Sequence, residues 1–146
     1  MSQHQLHFAI QVMAPIDQVF SFLSDHQNFV SLFGDHCQRV HDGVDEVNGI
    51  GSMRRIGSGL LAFEETITRF DRPYAIEYVI SQGSPLKNHR GEVRLMPTQD
   101  GTATVFDYRI EFEGKFPLIG ALVVWLLKWK WKRNSKLAFA NMVHKS

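Results

Sequence analysis

Five residues in the middle of this chain have the types needed for polar chemistry in apolar surroundings: Arg54, Glu65, Tyr78, His89 and Tyr108. A carboxylate withdrawn from water becomes a stronger base, so Glu65 is a candidate proton acceptor. His89 and Tyr108 are the other candidate acid or base groups. Each also has a plainer reading, because most buried polar groups are simply satisfied. Glu65 can pair with Arg54 or Arg55 from the preceding strand. A tyrosine hydroxyl can bond to backbone, and His89 follows a loop and can sit at a wet rim. No second titratable group is clearly paired with Glu65, so no acid–base pair stands out.

Other constellations are weak. The glycines at 49, 51, 57 and 59 flank a strand rather than a strand-to-helix turn, so they do not read as a phosphate loop. His36 and His41 fall on opposite faces of a strand, and no HExxH or CxxC spacing occurs, so no metal site is expected. Asp25-His26 and Asp35-His36 are adjacent pairs, and adjacent residues on a helix point apart. No catalytic residue is therefore assigned outright, and no cofactor is expected.

These residues need elements to position them. Leu6, Phe8, Ile10 and Val12 alternate as a strand does, and Ala14-Pro15 ends the run. Ile16, Val19, Phe20 and Leu23 follow at helical spacing. Asp25 can cap a second short helix carrying Phe29, Leu32 and Phe33. Six strand signals follow: Cys37–Val47 with a kink near Asp42-Gly43, Ile50–Ser58, Leu61–Phe70, Tyr74–Gln82, Asn88–Met96 and Thr102–Glu113. Short turns between them imply antiparallel neighbours. The predicted class is α+β in a single domain spanning 1–146: a curved sheet of seven strands, two short helices after the first, and a long C-terminal helix.

Side chains alternate along a strand. The inner series are Leu61, Phe63, Glu65, Ile67; then Ile76, Tyr78, Ile80; then His89, Gly91, Val93, Leu95; then Thr104, Phe106, Tyr108, Ile110, Phe112. Arg90, Glu92, Arg94, Asp107, Arg109, Glu111 and Glu113 face outward. An aromatic and aliphatic face with a few polar groups is the makeup of a pocket for an apolar ligand.

At 146 residues, 44% of them hydrophobic, the chain can build a full core. A net charge of +1 argues against nucleic acid as partner. The single cysteine, Cys37, excludes an internal disulfide and agrees with a reducing compartment. The opening MSQHQLHF has no basic stretch before an apolar core, so a cytoplasmic location is expected.

The C-terminal helix has two faces. Gly120, Val124, Leu127, Trp131, Ser135, Ala138 and Met142 form a stripe suited to the sheet, and its small residues are expected to leave space for a ligand. The opposite face starts with Leu118, Leu122, Trp125 and Trp129 and continues into Lys132, Arg133 and Lys136. The last twenty residues also hold Lys128, Lys130 and Lys145, with no acid among them. This face is too apolar and too basic for plain solvent. It fits packing against the short helices or a loop, with a kink at Gly120, a homodimer contact, or a peripheral membrane contact with Trp at headgroup level. The run Phe116–Leu127 is shorter than the roughly 20 residues that span a bilayer.

The order of elements and motifs resembles the START-related helix-grip superfamily, SRPBCC, and within it the polyketide cyclase/dehydrase and lipid-transport proteins of bacteria. The resemblance runs from Phe8 to about Ala140. Its carriers are Ile10 through Pro15 with Val19-Phe20 and Leu23 through Asp25, Gly49 through Ile56, Phe63 through Ile67 with Phe70-Asp71, Pro73 with Ile76 and Tyr78, Asn88 through Val93, and Gly101-Thr102 with Tyr108 and Phe112. It implies a sheet gripping the helix around a hydrophobic cavity that holds lipids, sterols, quinones or polyketides, with ring closure or dehydration in some members. Arg54 and Glu65 match recurring polar positions. No catalytic residue is shared widely enough to transfer. Tyr108 stands where relatives commonly have Trp.

The expectation is a binding protein for a hydrophobic small molecule, with transport to or from membranes, as monomer or homodimer. Its wall would be Phe63, Ile67, Tyr78, Val93, Phe106, Tyr108, Val124, Leu127 and Trp131, with Arg54, Glu65 and His89 orienting the polar end. The alternative is a cyclase or dehydratase using Glu65, His89 or Tyr108 in the same cavity.

Overall fold

Alternating segments pair with their neighbours in one antiparallel sheet, and the first strand closes against the last. The computed structural model describes residues 3–144. Lys145, counted above among the terminal basic residues, lies outside them. The chain runs β1 (Gln3–Val12), α1 (Ile16–Ser24), α2 (His26–Ser31), β2 (Cys37–His41), β3 (Met53–Ile56), a single 3-10 turn (Gly59–Leu61), β4 (Phe63–Asp71), β5 (Ala75–Gln82), β6 (Leu86–Pro97), β7 (Thr104–Gly114) and α3 (Ile119–His144). The seven strands lie in the order β1-β7-β6-β5-β4-β3-β2. This is the expected α+β helix-grip fold. The sheet curves around α3, and α1 and α2 close one end.

Local chemistry explains most boundaries. Pro15 stands in extended conformation just before α1, whose Val19, Phe20 and Leu23 turn into the core. Asp25 caps α2 by accepting from the Asn28 amide at 2.9 Å. The β7-to-α3 reversal needs two small residues. A Cβ on Gly120 would fall 2.3 Å from His4 Nε2, and one on Gly114 would fall 2.5 Å from Ile119.

Several expected boundaries shift. β2 stops at His41 rather than Val47, and β3 spans only Met53–Ile56 rather than Ile50–Ser58. Between them Gly43, Asn48-Gly49 and Gly51 (φ 86°) bend the chain into turns closed by Gly43 N to Val47 O at 2.8 Å and Val44 N to Ile50 O at 2.9 Å. Leu61 is not on the inner face. It sits in the 3-10 turn, exposed, between a left-handed Gly59 (φ 65°) and the start of β4.

β6 contains the irregularity that matters most. Lys87 pairs with Glu113 but Arg90 pairs with Glu111, so β6 carries one extra residue there. Asn88 takes a left-handed φ of 52° to make the bulge. The inward parity is thereby reset, and Leu86 and His89, three apart, both face the interior. Just beyond Tyr78↔Gly91 the β5–β6 ladder ends, and the Ile80 amide donates instead to His89 Nδ1 at 3.1 Å.

Candidate functional site

The interior between sheet and α3 is solid at one end and hollow at the other. At the solid end Trp131 stacks on Phe8 (ring centroids 4.5 Å) and Phe106 (5.7 Å), with Phe139 against Phe106 at 5.3 Å. Toward the N-terminal half of α3 lies a cavity of about 410 Å³. Its apolar wall includes Phe29, Phe33, Phe63, Ile110, Phe112 and Leu127. Its mouth is framed by Leu61, the Ser84–Leu86 turn, Leu126 and an ion pair between Lys130 and Asp35 at 2.6 Å.

A connected polar cluster forms one part of the floor. Arg54, 2% exposed at its side chain, donates from Nε to Glu65 Oε1 at 2.8 Å, and its Nη2 lies 2.8 Å from the same oxygen. The adjacent pairing Arg54↔Glu65 across β3 and β4 makes this contact direct. The other partner considered, Arg55, points to the opposite face and holds Glu64 at 2.6 Å. The Arg54 guanidinium is closed in by the rings of Phe29 (4.6 Å) and Tyr78 (4.7 Å). Its Nη1 approaches His26 Nδ1 at 3.3 Å. Arginine only donates, so the proton of His26 sits on Nε2, which donates to Ser52 Oγ at 2.7 Å. Ser52 then donates to the His41 carbonyl at 3.2 Å. The hydroxyls of Tyr78 and Tyr108 bond to each other.

Burial dominates the protonation of these groups. It pushes the His26 ring down to about 4, with Arg54 adding to the effect. Burial, again with Arg54 behind it, lowers His89 to about 4. Both rings are neutral at pH 7. Burial raises Glu65 above the ordinary carboxylate value while Arg54 opposes it. Burial works against the Arg54 charge as well, but Glu65 and the two tyrosines hold it, and the net direction is upward. Burial also lifts both tyrosines, so they stay phenols.

Two polar atoms of the cavity wall keep unused capacity. Glu65 Oε1 receives both contacts from Arg54, and Oε2 accepts no hydrogen bond from any described residue. His89 uses Nδ1 as acceptor, so its proton is on Nε2, which donates to no described residue.

Of the residues expected to hold a ligand, Phe63, Glu65, Tyr78, His89, Tyr108 and Leu127 line the cavity. Arg54 stands behind Glu65, out of the wall. Ile67, Val93 and Phe106 face inward as expected but lie at the packed end, where they are 2% exposed or less. Trp131 plugs that end. Val124 is half-buried beside the wall, which α3 supplies through Val123, Leu126, Leu127 and Lys130. The small residues of α3 are not where the space is: Gly120 meets His4, Ser135 bonds to the Trp131 carbonyl at 2.7 Å, and Ala138 is core. Sequence reasoning missed His26, Ser52, Ser84–Leu86 and the Lys130–Asp35 pair. Asp25-His26 was visible as a pair, yet the functional neighbour of His26 is Arg54, 28 residues away.

The second face of α3 is open. Leu118, Leu122, Trp125 and Trp129 are all exposed, with Trp125 at 63%. They do not pack against α1 or α2, because α2 and the turn after it meet α3 farther along, where Asn28, Ser31 and Gly34 lie near Asn134. Leu118 precedes the helix with φ 68°. Trp125 and Trp129 stack in parallel at 6.5 Å, and Arg133 lies over Trp129 at 5.2 Å. Lys132 is exposed beside them. Among the described residues no helix is long and apolar enough to cross a membrane, and no group of His, Cys, Asp and Glu forms a metal site.

Residues 3–146 match a family model described as polyketide cyclase / dehydrase and lipid transport. No curated protein matches the chain by sequence. Among solved structures the fold is similar to a START superfamily protein from Mycobacterium smegmatis (TM-score 0.77, 15% identity, covering 98% of this chain and 99% of that one). It is also similar to the Zhui aromatase/cyclase from a Streptomyces species (TM-score 0.69, 18% identity, 97% and 92% covered). A third is norcoclaurine synthase from Thalictrum flavum, in complex with dopamine and hydroxybenzaldehyde (TM-score 0.69, 13% identity, 99% and 88% covered).

Proposed function

The chain belongs to the polyketide cyclase/dehydrase and lipid-transport family, and from that premise we propose that it binds a hydrophobic small molecule, a lipid, quinone or polyketide-like compound, between sheet and α3. One observation carries the reading: an apolar cavity of about 410 Å³ with a single polar cluster in its floor, within the size range of small-molecule sites. Delivery to or from a membrane belongs to the same reading and would use the exposed Leu118, Leu122, Trp125, Trp129 and Lys132 face. Native mass spectrometry of protein purified from cells should show a co-purified hydrophobic ligand. Titration with Nile red, a neutral dye, should saturate, and the cavity-filling substitutions Leu127→Trp and Ile110→Trp should weaken it about tenfold. Unchanged dye binding in both folded variants refutes the cavity as the site.

A second reading, a cyclase or dehydratase, is favoured by the free Oε2 of Glu65 and the neutral His89 in one apolar enclosure, with Tyr108 as a donor. Turnover of a poly-ketone mimic that is lost in Glu65→Gln would support it. Turnover equal to that of Glu65→Gln would count against it.

A further inference from the structure

We infer that the polar end of this cavity selects a neutral hydroxyl-bearing group, a phenol, enol or alcohol, over a carboxylate, an ammonium or a bare ether. The inference rests on the ligand-binding reading above and names the ligand chemistry for it.

What a ligand meets first is set by the polar atoms that the wall presents. Arg54 is the strongest cation nearby, but it is shut away: Phe29 and Tyr78 cover its faces and Glu65 stands between it and the cavity. A ligand therefore meets Glu65 first, and meets its free Oε2, a charged acceptor with no donor. The charged residues on the wall are Asp35, Glu65 and Lys130, two acids against one base, and Lys130 is already tied to Asp35. An incoming carboxylate would find no free cation in the wall and a like charge in the floor.

The donors stand beside that acceptor. Glu65 pairs with Ile80 across β4 and β5, and the amide of that same Ile80 donates to His89. Glu65 and His89 thus flank one residue. His89 lines the same cavity, and with Nδ1 engaged by Ile80 its Nε2–H is left unused. In the Tyr78–Tyr108 pair one hydroxyl donates to the other, which leaves one hydrogen to spare. The lining of this one cavity therefore offers one strong acceptor and two donors. A hydroxyl donates and accepts at once, so it satisfies Glu65 and a neighbouring donor together. An ether or a quinone accepts only and leaves Oε2 dry. An ammonium donates only and leaves the His89 and tyrosine donors unmatched. Unpaired buried groups of this kind are what discriminate strongly between ligands of equal shape.

The test is a competition series on the folded full chain with Nile red as the reporter. The competitors are 4-octylphenol, 4-octylanisole, 4-octylbenzoate and 4-octylbenzylamine, which share an apolar body and differ at one end. The phenol is expected to compete about tenfold more tightly than each of the others. In Arg54→Met/Glu65→Leu, which removes both charges and keeps the apolar volume, that advantage is expected to vanish. Glu65→Gln, which preserves the side chain's shape but puts an amide donor in place of Oε2, is expected to relieve the penalty on the benzoate and to narrow the phenol's lead over the anisole. Any competitor binding as tightly as the phenol overturns the inference, as does an undiminished phenol advantage in the double variant. If Nile red binds and all four compete equally, the headgroup inference alone fails. If Nile red does not bind at all, the cavity reading fails with it.

Discussion

Replacing Arg54 by Met tests how the polar cluster is held together. The pair is deeply withdrawn, with 2% and 8% side-chain exposure and 2.8 Å between charges. At that separation the gross attraction is about 6 kcal/mol for an effective dielectric of about 20. Most of it offsets the removal of two ions from water, so the net worth of the pair is small. Breaking it is another matter. Arg54→Met strands the Glu65 carboxylate in an apolar wall, and the expected loss is about 3–5 kcal/mol out of a total stability of about 5–15 kcal/mol. Arg54→Met/Glu65→Leu removes the stranded charge as well and should return to within about 2 kcal/mol of wild type. Urea denaturation of wild type, both single variants and the double variant at pH 7.5 gives the cycle, with an expected coupling of at least about 2 kcal/mol. A pH series adds an independent check. Burial already pushes Glu65 above its ordinary value of 4.5 with Arg54 opposing, and without Arg54 only the upward push remains. A carboxyl with a raised folded pKa contributes its stability below 4.5 and loses it as pH rises through the folded value. The deficit of Arg54→Met relative to wild type should therefore shrink between pH 7.5 and pH 5. A single-variant loss under about 1 kcal/mol, or a double variant equal to the sum of the singles, would refute the reasoning.

Three further outcomes follow from the same geometry. His26 and His89 are both held near 4 by burial, so the folded protein resists protonation where the unfolded chain, with a value of 6.5, accepts it; stability should fall from pH 6.5 toward 4, by up to about 1.4 kcal/mol per pH unit for each ring, and His89→Phe should remove about half of that slope in melts across this range. A methyl on Gly91 would lie 2.3 Å from the Tyr78 ring, so Gly91→Ala should cost about 1–3 kcal/mol in urea denaturation and be relieved by Tyr78→Ala; a loss below about 0.5 kcal/mol would count against this packing. Trp125→Ser/Trp129→Ser should leave stability within about 0.5 kcal/mol, because both rings are exposed, yet reduce flotation with anionic vesicles at low salt; equal flotation, or none by either protein, counts against the membrane contact.

The architecture was readable because its signals are local. Alternation in β1 and β4 to β7, the Asp25 cap and the long α3 are each written within a few residues. The choice of face was equally readable: Ile67, Tyr78, Val93, Phe106 and Tyr108 all turn inward. Depth was not. Parity says that Phe106 and Tyr108 share a face, but only the position of Trp131 decides that Phe106 is core while Tyr108 reaches the cavity. The bulge at Asn88 and the loop at 42–52 depend on left-handed backbone and on pairing across strands, which spacing does not reveal. The link between His26 and Arg54 joins a helix to a distant strand, and adjacency in sequence pointed to Asp25 instead.

The division of the interior into a packed end and a hollow end bears on how long a molecule of this protein survives. The aromatic packing of Phe8, Phe106, Trp131 and Phe139 completes one end of the core, and the wall around the cavity lacks a packing partner on the side that faces the space. A bound hydrophobe would supply those neighbours and so act as the missing part of the core. Its contribution grows with its concentration, reaching about 2.7 kcal/mol at a hundred times its dissociation constant. On the proposed reading, the fraction of chains unfolded and open to proteases falls as the ligand becomes plentiful. The amount of this protein in a cell would then track the supply of what it carries.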